Sequence, residues 1–244
     1  MFQGGKVLAI VPARLGSKGI KDKNIVDLCG RPLLSWTVEA ATQSAFIDDV
    51  AISSDSKKII SLAEKAGATI NIIRPDRLST DDASSVDVVL HALALYSDYT
   101  WYVLLQPTSP LRRGLHIQES FELLKNSVSQ SLVSISESKS KPNHIFSLDS
   151  SSNAISPLLG WENLSLPRQA LTNFYELNGA IYIGRSDLLK HTRQLVDENT
   201  IGYVMDKSVS LDIDDPQDLL AAEIIMKDKA VSYTHLTLPT THDV

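Results

Sequence analysis

The sequence predicts an α/β fold, a mostly parallel sheet with helices on both faces, and three observations carry that prediction. Short apolar runs of buried-strand length alternate with segments of helical period. The connections between them are short, and no internal repeat is visible. The chain has 244 residues, 43% hydrophobic and 21% charged, enough for one substantial core.

Each element is justified by its pattern. Val7–Val11 opens as a strand, and a glycine- and lysine-bearing loop, Ala13–Asn24, follows it. Leu33–Gln43 places Leu33, Leu34, Val38 and Ala41 on one helical face. Val50–Ser53 reads as the second strand, and Ser56–Ala66 is a helix with Ile59, Ile60, Leu62 and Ala63 at helical spacing. Gly67 stands where its C-cap is expected. Thr69–Ile73 is a strand, Val86–Leu95 a helix and Trp101–Leu105 a very apolar strand. Gly114–Lys125 repeats Ile117, Phe121 and Leu124 on one helical face, and Leu132–Ile135 gives a further strand.

From about Lys139 to Ala170 the alternation fails. Short β-prone pieces, a serine-rich turn and several prolines there suggest a hairpin excursion from the main sheet. Order returns with strands at Ala180–Ile183, Ile201–Val204 and Val209–Ile213, and a last helix from Pro216. Residues 1–229 are expected to form one domain with that insertion, and the threonine-rich 230–244 an appendage outside the fold, so His235 and His242 carry no functional weight.

Composition excludes several classes. No apolar run approaches the roughly 20 residues needed to cross a bilayer, and no signal-peptide cleavage region follows the N-terminus, so a cytoplasmic protein without a membrane partner is expected. One cysteine, Cys29, permits no internal disulfide and shifts any metal expectation toward oxygen ligands. A net charge of −6 argues against nucleic acid as a partner. That charge is uneven: Lys6, Arg14, Lys18, Lys21, Lys23 and Arg31 outweigh Asp22 and Asp27 early, and the acid gathers late in LDIDDPQD.

The loop VPARLGSKGIKDKN leaves the first strand, where ligands bind in open α/β sheets. Gly16 and Gly19 allow close backbone approach, Ser17 adds a hydroxyl, and Arg14, Lys18 and Lys23 can neutralise phosphate. Neither G-x-G-x-x-G nor G-x-x-x-x-G-K-[ST] is present, which counts against a dinucleotide dehydrogenase and a P-loop NTPase. A solvated lysine-rich surface loop would have the same composition. In SLDIDDPQD, Asp215 before Pro216 reads as an N-cap and Asp218 lies in the first helical turn. Asp212 and Asp214 alternate along the expected strand, which puts them on one face about 7 Å apart, within reach of one hydrated cation; a pair of solvated surface aspartates is the other reading.

Other blocks are less decisive. LLQPTSPLR ends an apolar strand with Gln106, Thr108 and Ser109 between prolines, suited to a ligand or to an ordinary stiff turn. RPDRLSTDDASS joins Arg74 to small hydroxyls, of which Ser84 or Ser85 can cap the next helix. ELNGAIYIG sets Asn178 and Gly179 ahead of a strand in which Tyr182 is as much a core residue as a ligand. His91, His116, His144 and His191 have no metal-ligand spacing and no order suggesting a Ser/His/Asp triad.

Six blocks in order, IVPARLGSKGIKDKN, RPDRLSTDDASS, LLQPTSPLR, LPRQ, NGAIYI and SLDIDDPQD, resemble the acylneuraminate cytidylyltransferases, the CMP-sialic acid synthetases, from Val7 to about Lys227. The resemblance implies a Rossmann-like nucleotidyltransferase domain whose Lys139–Ala170 extension packs across a homodimer. It implies transfer of CMP from CTP to a nine-carbon 2-keto sugar acid with release of pyrophosphate. Matching positions would place Arg14, Ser17, Lys18, Gly19, Lys23 and Asn24 at the CTP phosphates, and Arg74, Ser84 and Ser85 around cytosine and ribose. Gln106 would face the nucleotide–sugar junction, and Ser109, Arg168, Asn178 and Tyr182 would help hold the sugar acid. Asp212 and Asp214 would bind Mg²⁺, with Arg14, Lys23 and Asp212 carrying the catalytic work and no side chain standing out as a general base.

One position departs from the pattern. Glu176 stands where family members acting on N-acetylneuraminate often have arginine, and a carboxylate facing the acceptor's carboxylate is unfavourable. Either Glu176 points elsewhere, with Arg168 or a dimer-partner residue in that role, or the acceptor is a related acid such as legionaminic acid. Activation of the eight-carbon Kdo is a close rival, although its enzymes lack the SKGIKDKN form of the loop. A catalytically silent nucleotide-binding homologue is a rival from another class, opposed by the intact Arg14, Lys23, Asp212 and Asp214.

Overall fold

The computed structural model describes residues 1–17, 19–138, 140–164 and 173–236, with side chains to Asp228 in the last helix. In chain order its elements are β1 (Lys6–Pro12), β2 (Asp27–Leu28), β3 (Arg31–Pro32), α1 (Leu33–Thr42), β4 (Asp49–Ser54), α2 (Lys57–Ala66) and β5 (Ile70–Ile73). There follow α3 (Ser85–Leu95), β6 (Tyr99–Leu104), α4 (Gly114–Lys125), β7 (Ser131–Glu137), β8 (Phe146–Leu148) and β9 (Ile155–Pro157). The chain closes with β10 (Tyr175–Arg185), α5 (Ser186–Thr192), β11 (Ile201–Val204) and α6 (Pro216–Leu236).

Seven strands form the main sheet in the order β11-β7-β10-β6-β1-β4-β5. Only β10 runs antiparallel to its neighbours, so the sheet is mostly parallel. The pleat of β1 divides the core: Val7, Ala9 and Val11 join Leu34, Val38, Ile59, Ile117 and Phe121 on one side, and Leu8 and Ile10 join Val89, Ala92, Leu93 and Leu189 on the other. Helices therefore cover both faces. A third cluster, Leu28, Leu33, Ile213 and Ala222, seats α6 against the start of α1. The irregular stretch contains an antiparallel hairpin, β8 with β9, in a separate two-stranded sheet.

The structure corrects one element and adds the short antiparallel β2–β3 pair and the helix α5. Val209–Ile213 is not a strand. Lys207–Val209 is a 3₁₀ turn capped by the Asp206 carboxylate, which accepts from the Ser208 amide at 2.8 Å. The Ile213 amide then donates to the Thr108 carbonyl at 2.8 Å, tying this segment to the loop after β6 instead of to a sheet. Val209 and Ile213 are buried in different clusters, and burial without a ladder produces the alternation seen in the sequence. The short helix α5 escaped the periodicity because seven residues are too few to show it.

α6 begins with a reciprocal cap. Asp215 Oδ1 accepts from the amides of Gln217 at 2.7 Å and Asp218 at 3.0 Å, while Asp218 Oδ2 accepts from those of Asp214 at 3.0 Å and Asp215 at 3.1 Å. Asp218→Ala is expected to cost about 1 kcal/mol, readable as a lower urea midpoint with an unchanged denaturant slope. The helix continues to Leu236, past Lys229 where the helical pattern ends; residues 237–244 of the expected appendage lie outside the described residues.

Candidate active site

β1 and β6 are neighbours, and their onward connections lead to opposite sides of the sheet, to β4 and toward β10. This reversal in strand order is where a ligand crevice is expected in such a sheet. A cavity of about 520 Å³ opens there, lined by Pro12, Arg14, Ser17, Gly19, Lys23 and Asn24 from the end of β1 and its loop. Gln106, Pro107 and Thr108 line it from the loop after β6, Arg74, Thr80, Asp81 and Ala83 from the segment between β5 and α3, Ser85 and Val88 from α3 itself, and Asp212 and Asp214 from the segment before α6. Ten of the residues that the resemblance implies thus meet around one space: Arg14, Ser17, Gly19, Lys23, Asn24, Arg74, Ser85, Gln106, Asp212 and Asp214.

The charges in it are interlocked. Arg14 Nη2 pairs with Asp81, and its Nη1 donates to the Gly16 carbonyl at 2.6 Å. Lys23, with a side chain only 14% exposed, donates to the Ile213 carbonyl at 2.8 Å and to Asp214 Oδ1 at 3.2 Å. Lys23 therefore bonds the β1 loop to the acidic segment. Gly19 completes that junction, since a Cβ there would collide with the Asp214 carbonyl. Asn24 is buried and donates to the Arg14 carbonyl at 2.9 Å, bracing the loop from inside.

Arg74 forms part of the wall. Its buried guanidinium donates to the Ser53 carbonyl at 2.6 Å and the Ser53 hydroxyl at 3.3 Å. Burial lowers its pKa to about 10, with Asp55 favouring the charge and Arg14 opposing it. Ser84 caps α3, its Oγ accepting from the Val86 amide at 3.1 Å, and Ser85 lines the cavity.

Asp212 differs from the other acids. Its Oδ1 is buried and has no hydrogen-bond partner among the described residues. Burial pushes its carboxyl above the usual carboxylate range; Asp214 and Asp218 push the same way, and Thr108 and Lys23 act against them. An unpartnered carboxylate oxygen of this kind is costly unless a cation meets it. Asp212 and Asp214 both line the cavity, so they share it without the strand expected to align them. Among the described residues no group of three or more His, Cys, Asp or Glu is arranged to hold a metal. The buried, unpartnered Asp212 oxygen with Asp214 lining the same cavity fits a hard cation held by one or two carboxylates and completed by ligand oxygens.

Of the residues expected around the sugar acid, Ser109, Asn178 and Tyr182 lie beside this space. Gly179 has φ +71°, a left-handed conformation that favours glycine, and its backbone runs close to both groups: a Cβ there would stand 2.8 Å from Gln106 Oε1 and 3.5 Å from Asp212 Oδ2. Ser109 is buried and donates to the Asn178 carbonyl at 3.4 Å. The Asn178 amide is engaged internally: Oδ1 accepts from Ser134 Oγ at 2.6 Å and the Ala180 amide at 3.2 Å, and Nδ2 donates to Ser210 Oγ at 3.0 Å. Tyr182 packs against the second core cluster, with its hydroxyl pKa raised by burial and by Asp212. Glu176 Oε2 accepts from Ser138 Oγ at 3.1 Å and does not line the cavity. Lys18 and Arg168 lie outside the described residues.

Sequence reasoning did not single out Asp81, which holds Arg14, or Arg112, which is buried behind Gln106. Both sit inside blocks that it quoted, STDDASS and QPTSPLR, where the hydroxyls and Gln106 drew the attention.

Comparison with known proteins agrees with this geometry. Residues 8–187 match the family model described as Cytidylyltransferase. An N-acylneuraminate cytidylyltransferase of Escherichia coli is 38% identical over 92% of this chain, which spans 53% of that protein, about half its length. A CMP-N,N'-diacetyllegionaminic acid synthase of Legionella pneumophila is 33% identical over 91% of this chain and 97% of its own. A solved structure of CMP:2-keto-3-deoxy-manno-octonic acid synthetase complexed with CTP shares the fold, with a TM-score of 0.70 at 17% identity, covering 92% of this chain and 99% of the other. Among the described residues no helix is long and apolar enough to cross a membrane. With its cavity at the sheet's switch point and the family pattern running through the strands that build it, the chain belongs to the cytidylyltransferase family.

Proposed function

We propose that this protein transfers CMP from CTP to the anomeric hydroxyl of a nonulosonic, sialic-type acid, releasing pyrophosphate. The observation that carries the reading is the orphaned, buried Asp212 oxygen in a cavity that Arg14, Lys23 and Arg74 also line. The relatives' names supply the acceptor class, since they cover sialic, legionaminic and pseudaminic acids.

The acceptor hydroxyl attacks the α-phosphorus in line with the departing pyrophosphate, so catalysis is mainly alignment and charge neutralisation. Arg14, Ser17, Lys18 and the Gly19 backbone are the residues for the triphosphate, and Asn24 keeps the loop in shape. Arg74, Ser84 and Ser85 bound the nucleoside end. Gln106 stands at the junction with the acceptor, which Ser109, Arg168, Asn178 and Tyr182 hold or support. Asp212 and Asp214 are the residues for Mg²⁺, which when bound neutralises phosphate charge and polarises the reacting oxygens. Arg14 and Lys23, paired with Asp81 and Asp214 in the structure, exchange those carboxylates for phosphate when the triphosphate binds.

The reading extends to a homodimer joined through the β8–β9 extension. Exposed Leu148, Ile155, Leu158 and Trp161 give this region an apolar surface that a second copy would cover.

The test is pyrophosphate release from CTP with Mg²⁺ across N-acetylneuraminate, legionaminate, pseudaminate and Kdo. Turnover is expected with at least one of the first three, and none with any acid contradicts the reading. Because Glu176 is engaged with Ser138 outside the cavity, Glu176→Gln is expected to change kcat/KM for the best acceptor by less than about twofold. A rise of about tenfold, equivalent to about 1.4 kcal/mol, would instead set this carboxylate against that of the acceptor.

A further inference from the structure

Arg112 is 1% exposed, a cation buried as deeply as the apolar core around it. Burial is the sole influence moving its pKa, which falls to about 9, and among the described residues no carboxylate pairs with it. Its partners are neutral oxygens. Nη1 donates to the carbonyls of Ala180 at 2.7 Å and Gln106 at 3.2 Å, and Nη2 to Thr37 Oγ1 at 2.5 Å. Burying a cation against neutral groups is expensive, so its position in the fold matters.

That position is where two sheet strands part. β10 and β6 pair as far as Tyr182 opposite Leu104, and continuing the antiparallel register sets Ala180 opposite Gln106. The ladder stops there, and both carbonyls turn to one guanidinium nitrogen. On its other edge β10 shifts register against β7 between Leu177 and Tyr182, which leaves Gly179 free to adopt its left-handed conformation. Gln106 Oε1 and the Gly179 backbone then face each other across the gap beside Asp212. Arg112 pins both sides of it.

We propose that Arg112 is a positioning residue: by holding the Gln106 and Ala180 carbonyls on one nitrogen, it fixes the gap between the Gln106 carboxamide and the Gly179 backbone, and so the seat of the acceptor acid. This rests on the cytidylyltransferase reading above. Its selectivity for acceptor over nucleotide follows from its contacts, since of the cavity-lining residues it bonds Gln106 and none of Arg14, Ser17, Lys23, Arg74 or Ser85.

The experiment is steady-state kinetics on Arg112→Lys, Arg112→Met and Thr37→Val with CTP, Mg²⁺ and the best acceptor, at a temperature where circular dichroism shows each variant folded. Arg112→Met is expected to lose about 10- to 100-fold in kcat/KM for the acceptor, the range for deleting a charged hydrogen-bonding group, with the KM for CTP within about twofold. Arg112→Lys, which keeps a charge able to bridge two carbonyls, should recover most of the loss. Thr37→Val, which removes the Nη2 acceptor and the long Thr37 Oγ1 donation to the Gln106 carbonyl at 3.4 Å, should show a smaller loss of the same kind. If Arg112→Met does not fold, Thr37→Val carries the test, with Arg112→Lys as the near-wild-type control. Unchanged acceptor kcat/KM in Arg112→Met, or in Thr37→Val where that variant carries the test, or parallel losses for acceptor and CTP, overturns the proposal. The wild-type enzyme in the same assay separates the two levels, because its failure to turn over would overturn the functional reading itself.

Discussion

Asp212→Asn is expected to lower kcat about 10²- to 10³-fold while leaving the protein at least as stable as the wild type. The rate loss is of the size seen when one preorganised electrostatic group is removed from a transition state. The stability follows from the burial of this carboxylate. Its pKa is raised in the folded state, so the folded protein holds the proton more tightly than the unfolded chain does. For a carboxylate with that sign, stability is greatest below the unfolded pKa and falls as the pH rises toward the folded one. Near pH 7 the ionised group is a net cost, and the neutral amide removes it. Thermal melts with and without CTP and Mg²⁺ read both parts: wild type should gain melting temperature from the pair, and Asp212→Asn should gain much less. Full activity in the variant, with unchanged Mg²⁺ dependence, would remove Asp212 from the metal site.

Lys23→Met is expected to combine a loss of about 100-fold in kcat/KM for CTP with a fall in stability of about 1.5 to 3 kcal/mol. Both come from one ammonium. In the structure it joins the β1 loop to the Ile213 carbonyl and Asp214, across 190 residues of chain. In the proposed reaction the same charge faces phosphate. Lys23→Arg should recover stability better than activity, because a planar fork can still reach the two oxygens but cannot present the same compact charge to phosphate. Urea denaturation and CTP titration of both variants separate the two roles. An Asp214→Asn variant should lose less stability than Lys23→Met, since its side chain is 78% exposed and the Ile213 carbonyl bond remains.

Much of the sheet was legible because each buried strand is a short apolar run and each helix long enough to show its period. Val7–Val11 and Gly114–Lys125 are examples: their apolar spacing reports the faces they bury. The segment Val209–Ile213 misled because burial alone creates alternation, and sequence does not say whether the backbone bonds to a strand or to the Thr108 carbonyl. Asp212 and Asp214 were nevertheless placed in one cavity with the basic loop, because charges that have no capping role stand out in a short motif. Asn178 shows the opposite case. Its block was legible as important, but its amide is spent on Ser134, Ala180 and Ser210, contacts that need the third dimension to be seen. Arg112 was hidden for the same reason: an arginine after an apolar strand reads as a surface cation until the carbonyls of Gln106 and Ala180 are found around it.

The central claim is that one cavity joins CTP to a sialic-type acid, and product identification tests it most directly. Phosphorus NMR of the purified protein with CTP, Mg²⁺ and each nonulosonic acid should show CTP converted to a CMP ester and pyrophosphate in equal amounts, and only when the acid is present. CTP that stays intact with every acid, or pyrophosphate released without any acid, would contradict the account.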